Sequence, residues 1–270
     1  MSEQINTFRD STLNLDQAYN YTLLLLVDTN SFSCAVLYNN KLLAYEAGCA
    51  IDELITPQKL QELLTVTYKN IIIGFVGNAF TLVPQHLFKT DHITDFARLL
   101  DVKENEKVLA QVLDEKNYVV YKVDDPQLAA IEKFSFKKIV FAAKGLVRVI
   151  TKNGTLNNIL YLNITDNKIE FLYFKHNELR FYNSFEYKNI ADIVYFSVLV
   201  TQELEMKPQF TTLTLSGKVS QGDELCTQLA GFFSEASVNN ISVVELPDEI
   251  PPHQVLSLAS LSLCGSSEAF

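Results

Sequence analysis

The stretch LLLLVDTNSFSCAVLYNN, residues 23–40, decides how the chain folds. An apolar run of strand length ends in a single acid, Asp28, and a short polar loop leads into a second apolar strand. Asn39 and Asn40 tolerate the backbone of a tight turn, and residues 41–48 have the composition of a returning strand. The pattern predicts a three-stranded meander. It leaves two interpretations of Asp28, a phosphate-binding acid or an ordinary turn residue.

A second copy of this meander follows about half the chain later. The segment NILYLNITDNKIEFLYFKHNELRFYNSF, residues 158–185, again shows strand, loop, strand, turn and strand. Asp28 aligns with Asn163 and Gly77 aligns with Gly217, at offsets of 135 to 140 residues. A steady offset of this kind is typical of an internal duplication, so the sequence predicts two related lobes.

Further helix and strand signals follow each meander in the same order. The predicted elements are helices at 57–68, 189–207 and 221–233, and strands at 70–80, 138–141, 210–220 and 241–245. The segment 189–207 also fits a strand by β-propensity, but its TQELEMK tail and its place in the repeat favour a helix. Extra material near 90–124, predicted as a helix and a hairpin, has no counterpart in the second copy.

These signals define the expected architecture. The fold class is α/β with mixed sheets, built as two duplicated lobes that each carry a mixed five-stranded sheet with helices. The predicted domains are 1–152, a first lobe with the insertion near 90–124, and 153–270, a second lobe. Residues 252–264 are expected to pack back as a helix.

Composition excludes several classes of function. The chain has 270 residues and a formal net charge of −10, which disfavours nucleic acid and anionic membrane surfaces as partners. Its apolar runs are far shorter than the ~20 residues of a membrane span, so no membrane span is predicted. The four cysteines and four histidines lack metal-ligand spacing, so no metal site is expected and the cysteines indicate a reducing cytoplasm.

The element order resembles the actin-like ATPase superfold with its RNase H-like halves. The segment FTLVP at 80–84 and the ending PPHQVLSLASLSLC at 251–264 are similar to an uncharacterised bacterial family of degenerate actin-like proteins, a domain of unknown function typical of Bacteroidetes. That family carries no assigned activity. The resemblance therefore implies a fold but no substrate.

The resemblance also implies where a nucleotide would bind. Active actin-like ATPases have an Asp that positions Mg²⁺, a Gly two residues later, a second Asp-x-Gly hairpin and a Gly-Gly pair for the base. In this chain the vestigial cofactor-binding residues are Asp28, Asn30, Ser31, Asn163, Thr165, Asp166 and Gly217. Asn30 replaces the first glycine, although Asn tolerates the positive φ that preserves the loop shape. With these motifs damaged, we expect no cofactor, neither ATP nor Mg²⁺, and no catalytic residue.

Two functions stay open at this stage. The first is a non-catalytic binding or scaffold module, a pseudo-ATPase with an unknown protein partner. The alternative is an ATP-binding actin-like ATPase or conformational switch. A nuclease is excluded, since the predicted strand at 70–80 ends without a second metal-binding acid. The partner site would be the cleft loops at 28–33 and 163–168, or the insertion if Phe96, Tyr118 and Val120 form an exposed patch and do not pack on their own lobe.

Overall fold

A computed structural model describes residues 5–77, 79–135 and 137–265. The strands in chain order are β1 (Thr7–Arg9), β2 (Thr22–Val27), β3 (Ser31–Tyr38), β4 (Lys41–Ala50), β5 (Asn70–Phe75), β6 (Phe80–Pro84), β7 (Glu106–Val112), β8 (Asn117–Asp124), β9 (Lys137–Phe141), β10 (Ile159–Ile164), β11 (Lys168–Lys175), β12 (Glu178–Glu186), β13 (Thr212–Gly217) and β14 (Glu235–Val238). The α-helices are α1 (Asp52–Ile55), α2 (Gln61–Leu64), α3 (Ile93–Ala97), α4 (Asp125–Ile131), α5 (Ala143–Lys152), α6 (Ile190–Glu203), α7 (Glu224–Ala230) and α8 (Pro252–Ala259). Short 3₁₀ turns occupy Leu15–Asn20, Thr90–His92, Arg98–Leu100, Pro208–Phe210 and Ser260–Cys264.

The chain divides into two compact units. The described part of the N-terminal unit is 5–148, Val243–Pro247 and 258–265, and that of the C-terminal unit is Val149–Ser242 and Asp248–Ser257. This division differs from the predicted ranges 1–152 and 153–270. The reason is that residues near the end of the chain pack into the N-terminal unit, where Leu261 is fully buried and Leu263 O accepts a hydrogen bond from Arg148 at 2.6 Å.

The N-terminal unit contains a six-stranded mixed sheet in the order β1-β4-β3-β2-β5-β9. Strands β2, β5 and β9 are parallel, and β1, β4, β3 and β2 form antiparallel pairs. The β3–β4 turn has positive φ at both Asn39 and Asn40, as a two-residue hairpin requires. The sheet has one strand more than predicted because the short segment β1 pairs with the edge of β4.

The inserted segment near 90–124, together with β6 before it, forms a separate three-stranded antiparallel sheet in the order β6-β8-β7, called the inserted sheet below. Its small core contains Val83, Leu100 and Val120. The helix predicted in the insertion is a single α-helical turn, α3, with a 3₁₀ turn on each side. The inserted sheet therefore has a small core, to which residues on both sides of position 90 contribute.

The C-terminal unit contains the predicted five-stranded mixed sheet, in the order β12-β11-β10-β13-β14. Its hairpin has positive φ at His176 and Asn177, matching Asn39 and Asn40. Helix α6 confirms the helical interpretation of 189–207. The predicted strand at 241–245 is wrong, because the fifth strand is β14.

The hydrogen-bond register shows which residues of the two meanders correspond. Val27 pairs with Phe32 in the first meander, and Ile164 pairs with Ile169 in the second. The offset is 137 residues through the hairpin turn, as far as the pairs Cys34–Glu46 and Phe171–Asn183, and a further irregularity between Phe32 and Cys34 shifts the rest of β4 by one residue. The duplicated α/β architecture predicted from the sequence is confirmed.

Candidate functional site

Asp28 opens the turn between β2 and β3 in the N-terminal unit. Its main-chain N–H donates to Ser31 O at 2.9 Å, and its Oδ1 accepts the main-chain N–H of Thr29 at 2.8 Å. Asn30 is exposed, and its carbonyl accepts a hydrogen bond from Ile51 N at 3.1 Å. Asn30 does not take the positive φ that the sequence allowed for it, so the turn closes without a left-handed residue at that position.

The corresponding turn of the C-terminal unit opens at Thr165. The main-chain N–H of Thr165 donates to Lys168 O at 2.9 Å, as Asp28 does to Ser31. The Thr165 hydroxyl donates to Lys168 O at 3.1 Å and lies 3.2 Å from Lys168 N, which donates to it. Tyr187 OH also donates to Thr165 O, at 2.5 Å. The residue that corresponds to Asp28 is therefore Thr165, and the sequence alignment of Asp28 with Asn163 is wrong by two residues. Asp28 follows the last residue of β2, whereas Asn163 still lies inside β10.

Asn163 lies inside β10 and is buried. Its Nδ2 donates to Glu170 Oε2 at 2.6 Å, and its Oδ1 accepts from Ser257 Oγ of α8 at 2.9 Å. Tyr182 OH donates to Glu170 Oε1, and burial, followed by the charge of Glu170, raises the pKa of Tyr182 well above its ordinary value. Asn163 is therefore one member of a buried polar cluster that joins β10, β11, β12 and α8.

Asp166 and Gly217 are the remaining residues that were predicted as a vestigial cofactor-binding site. The ammonium group of Lys218 donates to Asp166 Oδ1, and both side chains are substantially exposed. Gly217 has φ +86°, and a Cβ there would lie 2.0 Å from Ile164 O. Gly217 pairs with Ile164, and the matching partner of Val27 is Phe75. The alignment of Gly217 with Gly77 is therefore also wrong by two residues.

The predicted patch on the insertion is not exposed as a whole. Val120 is fully buried, and Phe96 and Tyr118 are half-buried against Phe88. The rings of Phe88 and Tyr118 stack with their centroids 3.8 Å apart. The exposed apolar side chains in or next to this segment are others, namely Leu87, Leu99 and Val102. The exposure of Leu99 could have been predicted from the adjacent pair Leu99-Leu100. Two neighbouring leucines cannot lie on the same face of a helical turn, so one of them points away from the core.

Within residues 5–77, 79–135 and 137–265, no three His, Cys, Asp or Glu side chains come together as a metal site. No helix in the same residues is long and apolar enough to cross a membrane. The roles of Tyr187 and Ser257 were not predicted from the sequence. Tyr187 donates a hydrogen bond to the turn at Thr165, and Ser257 donates one to the buried Asn163.

The fold is that of the actin-like ATPases. A Bacteroides thetaiotaomicron protein with an actin-like ATPase fold and unknown function superposes with a TM-score of 0.76 at 19% identity, over 93% of this chain and 99% of that one. The PilM-PilN type IV pilus biogenesis complex gives a TM-score of 0.60 at 12% identity, over 92% and 99% of the two chains. The cytoplasmic domain of EpsL, an inner membrane component of the type II secretion system of Vibrio cholerae, gives 0.51 at 10% identity, over 91% and 96%.

Within this class, the chain belongs to the family described as "Protein of unknown function (DUF3822)", whose profile matches residues 10–235. A comparison with curated protein sequences gives no significant match. The predicted resemblance to an uncharacterised actin-like family is thus confirmed. The likeness to the solved structures concerns the fold alone, since all three are below 25% identity.

Proposed function

We propose that this protein is a non-catalytic actin-like scaffold module that binds another protein and hydrolyses no ATP. The observation that carries the proposal is Thr165. It occupies the position that corresponds to Asp28, and its hydroxyl is bonded within its own turn to Lys168. The acid that active relatives use in the second hairpin is therefore missing from its structural position.

The remaining polar groups support the same conclusion. Asp166 is the carboxylate next to Thr165, and it forms an ion pair with Lys218. Asn163 is bonded to Glu170 and Ser257 in the interior. Mg²⁺ bound with nucleotide needs carboxylate oxygens and water, and in these two turns Asp28 is the one carboxylate at an equivalent position. A single acid that already accepts the N–H of Thr29 is a poor site for Mg²⁺·ATP.

A protein partner is supported by the surface and by one structural relative. Leu99 is 72% exposed and Leu87 is 57% exposed, at the inserted sheet, which lies outside the duplicated meanders. Large exposed aliphatic side chains such as these are candidates for an interaction site. PilM, which shares this fold, is seen in a complex with PilN. The four cysteines are free thiols, which supports a reducing compartment such as the bacterial cytoplasm.

The alternative function is a nucleotide-dependent switch. It is favoured by one observation, that Asp28 is kept at the end of β2 in an actin-like fold. Under the alternative, ATP would still bind and change the conformation without the second acid.

Calorimetric titration with Mg²⁺·ATP, together with a phosphate-release assay, tests the choice. We expect neither binding heat at millimolar nucleotide nor hydrolysis. If ATP bound and the Asp28→Ala variant lost that binding, the switch would replace the scaffold as the function. Hydrolysis lost in the same variant would overturn the proposal entirely.

The partner is tested by cross-linking and co-purification from the native cells. We expect a protein recovered in stoichiometric amount with the wild type and lost with Leu99→Glu. Leu156→Glu is the matched control, because Leu156 is 68% exposed and lies in the C-terminal unit. If neither variant, or both, lost the partner, Leu99 would not be part of the binding surface.

A further inference from the structure

A polar cavity lies at one end of the six-stranded sheet of the N-terminal unit. Its volume is about 310 Å³, at the lower end of the range for small-molecule sites. All of its described lining residues belong to this unit. The cavity is separate from the nucleotide turn, because Thr22 lines it at the start of β2 whereas Asp28 follows the last residue of that strand.

The end of the sheet forms the floor of the cavity. Leu37 pairs with Thr22, and Thr22 pairs with Asn70, so these three side chains form a row on one face across β3, β2 and β5. Leu37 and Ile72 are buried and make part of the floor apolar. A ligand would therefore find both carbon and polar surface there.

Residues near the end of the described chain form one wall. Ser262 and Gly265 line the cavity, and a Cβ added at Gly265 would lie 2.9 Å from Ile72 Cδ1. The segment 262–265 therefore packs directly on β5, beside the row of floor residues.

Several polar side chains around the cavity have no protein partner. Among the described residues, none forms a hydrogen bond with the side-chain amides of Asn20, Asn39 and Asn70. The ammonium group of Lys69 likewise has no ion pair or hydrogen bond with a described residue. A side-chain amide both donates and accepts, as a hydroxyl group does, so these groups are suited to a hydroxylated ligand.

The charge of the lining differs from that of the chain as a whole. The chain has 32 acidic and 22 basic residues, yet the described lining contains Lys69 and no Asp or Glu. An ammonium group beside amide donors favours an anion, and charge-assisted hydrogen bonds are the strong ones. The lining is therefore suited to one anionic group at Lys69 and to neutral hydroxyl groups at the asparagines.

The C-terminal unit shows that the fold does not require this polar set. The register aligns Thr22 with Ile159 of the second copy. It also aligns Lys69 with Thr211, whose side chain is bonded within its own segment to Lys207 O at 2.9 Å. The second copy thus builds the same end of the sheet without the lysine, so folding alone does not explain the polar residues of the first.

We propose that this cavity binds a small hydroxylated anion of the sugar monophosphate class. Lys69 binds the phosphate group, and the side-chain amides of Asn20, Asn39 and Asn70 bind hydroxyl groups. The carbon face of the ligand lies on the apolar part of the floor. The proposal goes beyond the scaffold function, and it is independent of the partner at Leu99 and of the nucleotide turns.

Calorimetric titration of the full chain with glucose 6-phosphate tests the proposal. We expect a dissociation constant of about 1 mM or lower, as a good ligand of this size reaches. Glucose and inorganic phosphate each carry one part of the recognised chemistry and should bind at least about tenfold more weakly. Absence of binding at about 10 mM glucose 6-phosphate, or equally tight binding of glucose or phosphate alone, overturns the proposal.

Lys69→Met removes the ammonium group and keeps an apolar side chain. It should raise the dissociation constant about tenfold or more, because the charge-assisted bond to phosphate is lost, and leave thermal unfolding unchanged. Lys89→Met is the matched control, since it makes the same charge change at an exposed position of the same unit and should leave binding unchanged. Equal effects of the two variants would overturn the proposal.

Asn70→Leu separates the hydroxyl contacts from the charge. It removes one amide and keeps Lys69, so the preference for glucose 6-phosphate over inorganic phosphate should fall. An unchanged preference would show that the asparagines do not contact the sugar, and the proposal would be wrong.

Two further measurements locate the ligand. Glucose 6-phosphate should slow hydrogen exchange at the Asn39-Asn40 turn and at Lys69 and Asn70, and protection at the turn that follows Asp28 in their place would overturn the proposal. A chain that ends at Gly265 keeps every described lining residue and should bind with the same affinity. Binding seen only in that shorter chain would mean that residues 266–270 occupy the cavity, and the proposal would be wrong.

Discussion

Asn163 Nδ2 donates to Glu170 Oε2 at 2.6 Å, and both residues are buried, at 5% and 7% exposure. A sequence comparison with active actin-like ATPases would suggest that Asn163→Asp restores a missing acid. The structure indicates the opposite outcome. The new carboxylate would face Glu170 in the interior and remove a donor from it, so we expect a loss of about 3 kcal/mol in the free energy of unfolding.

Urea unfolding at pH 7 checks this prediction. Asn157→Asp, the same exchange at an exposed position, should change the free energy of unfolding by no more than about 0.5 kcal/mol. Equal stability of Asn163→Asp and the wild type would show that the cluster rearranges to accept a second acid.

Gly217 gives a prediction about backbone strain. Its φ is +86°, and an added Cβ would lie 2.0 Å from Ile164 O, a main-chain atom that cannot move without disturbing β10. Gly217→Ala should therefore destabilise the protein by about 3 kcal/mol, from the left-handed backbone and the steric clash together.

Gly222→Ala is the matched control for that change. Gly222 has a similar φ of +76°, but a Cβ there meets nothing within 4 Å. Its cost should be about 1 kcal/mol, from the backbone conformation alone. Thermal or urea unfolding of both variants separates the two contributions, and equal losses would contradict the clash with Ile164.

The inserted sheet depends on a buried ion pair. Lys122 Nζ lies 2.9 Å from Glu106 Oε2, and the two side chains are 10% and 7% exposed. Burial alone would raise the pKa of Glu106, but the N–H of Lys103 and the ammonium of Lys122 outweigh it, so that the pKa is lowered. Glu106→Gln leaves the lysine charge without its partner and should cost about 3 kcal/mol.

Asp95→Asn provides the comparison for the ion pair. Asp95 lies 3.6 Å from Arg98, and both side chains are more than half exposed. Its replacement should change the free energy of unfolding by about 0.5 kcal/mol or less. Urea unfolding monitored by the fluorescence of the tyrosines measures both variants, and similar losses would mean that the Lys122–Glu106 pair is effectively solvated.

His253 should make the free energy of unfolding depend on pH. Burial lowers the pKa of His253, although the hydrogen bond with Val219 O opposes the shift. The unfolded chain then takes up a proton on this residue at higher pH than the folded chain does. The free energy of unfolding should fall as the pH decreases below about 6.5, the ordinary histidine value.

His253→Gln tests this dependence, since glutamine can donate a hydrogen bond but does not titrate. The loss of stability between pH 7.5 and pH 5 should be smaller in the variant than in the wild type. An identical pH profile for the two proteins would assign the effect to other groups.

The features that could be predicted from the sequence are those that local residue patterns determine. The strands of both meanders are alternating or continuous apolar runs, and an asparagine-containing turn joins two of them in each copy. The existence and order of these strands could therefore be predicted from the sequence. Helix α6 was identified from its TQELEMK tail and its place in the duplication, since its apolar part fits a strand equally well. The two-residue error in aligning Asp28 with Asn163 could not be avoided from the sequence, because both are short polar residues at the end of an apolar run. Only the hydrogen-bond register shows that Thr165, and not Asn163, corresponds to Asp28.

Two other errors have physical causes. The predicted helix over 57–68 is reduced to α2, Gln61–Leu64, because the main-chain N–H groups of residues 58, 59 and 60 just before it donate to Glu53 Oε2. The buried positions were nevertheless correct, since Leu60, Leu63, Leu64 and Tyr68 are all in the core. The strand β14 was missed because an edge strand needs little apolar character. The more apolar segment after it contributes, among the described residues, one isolated bridge between Glu245 and Lys41.

The assignment of 258–265 to the N-terminal unit bears on the order in which the protein is made. Leu261 packs against Gly74, and Leu263 O receives the Arg148 hydrogen bond, so the N-terminal unit lacks part of its interior until these residues leave the ribosome. About 110 residues separate Arg148 from this segment, and at ordinary translation rates the delay is on the order of ten seconds. During that interval the sheet around Gly74 lacks the side chain of Leu261 that covers it, so we expect nascent chains of this protein to bind chaperones.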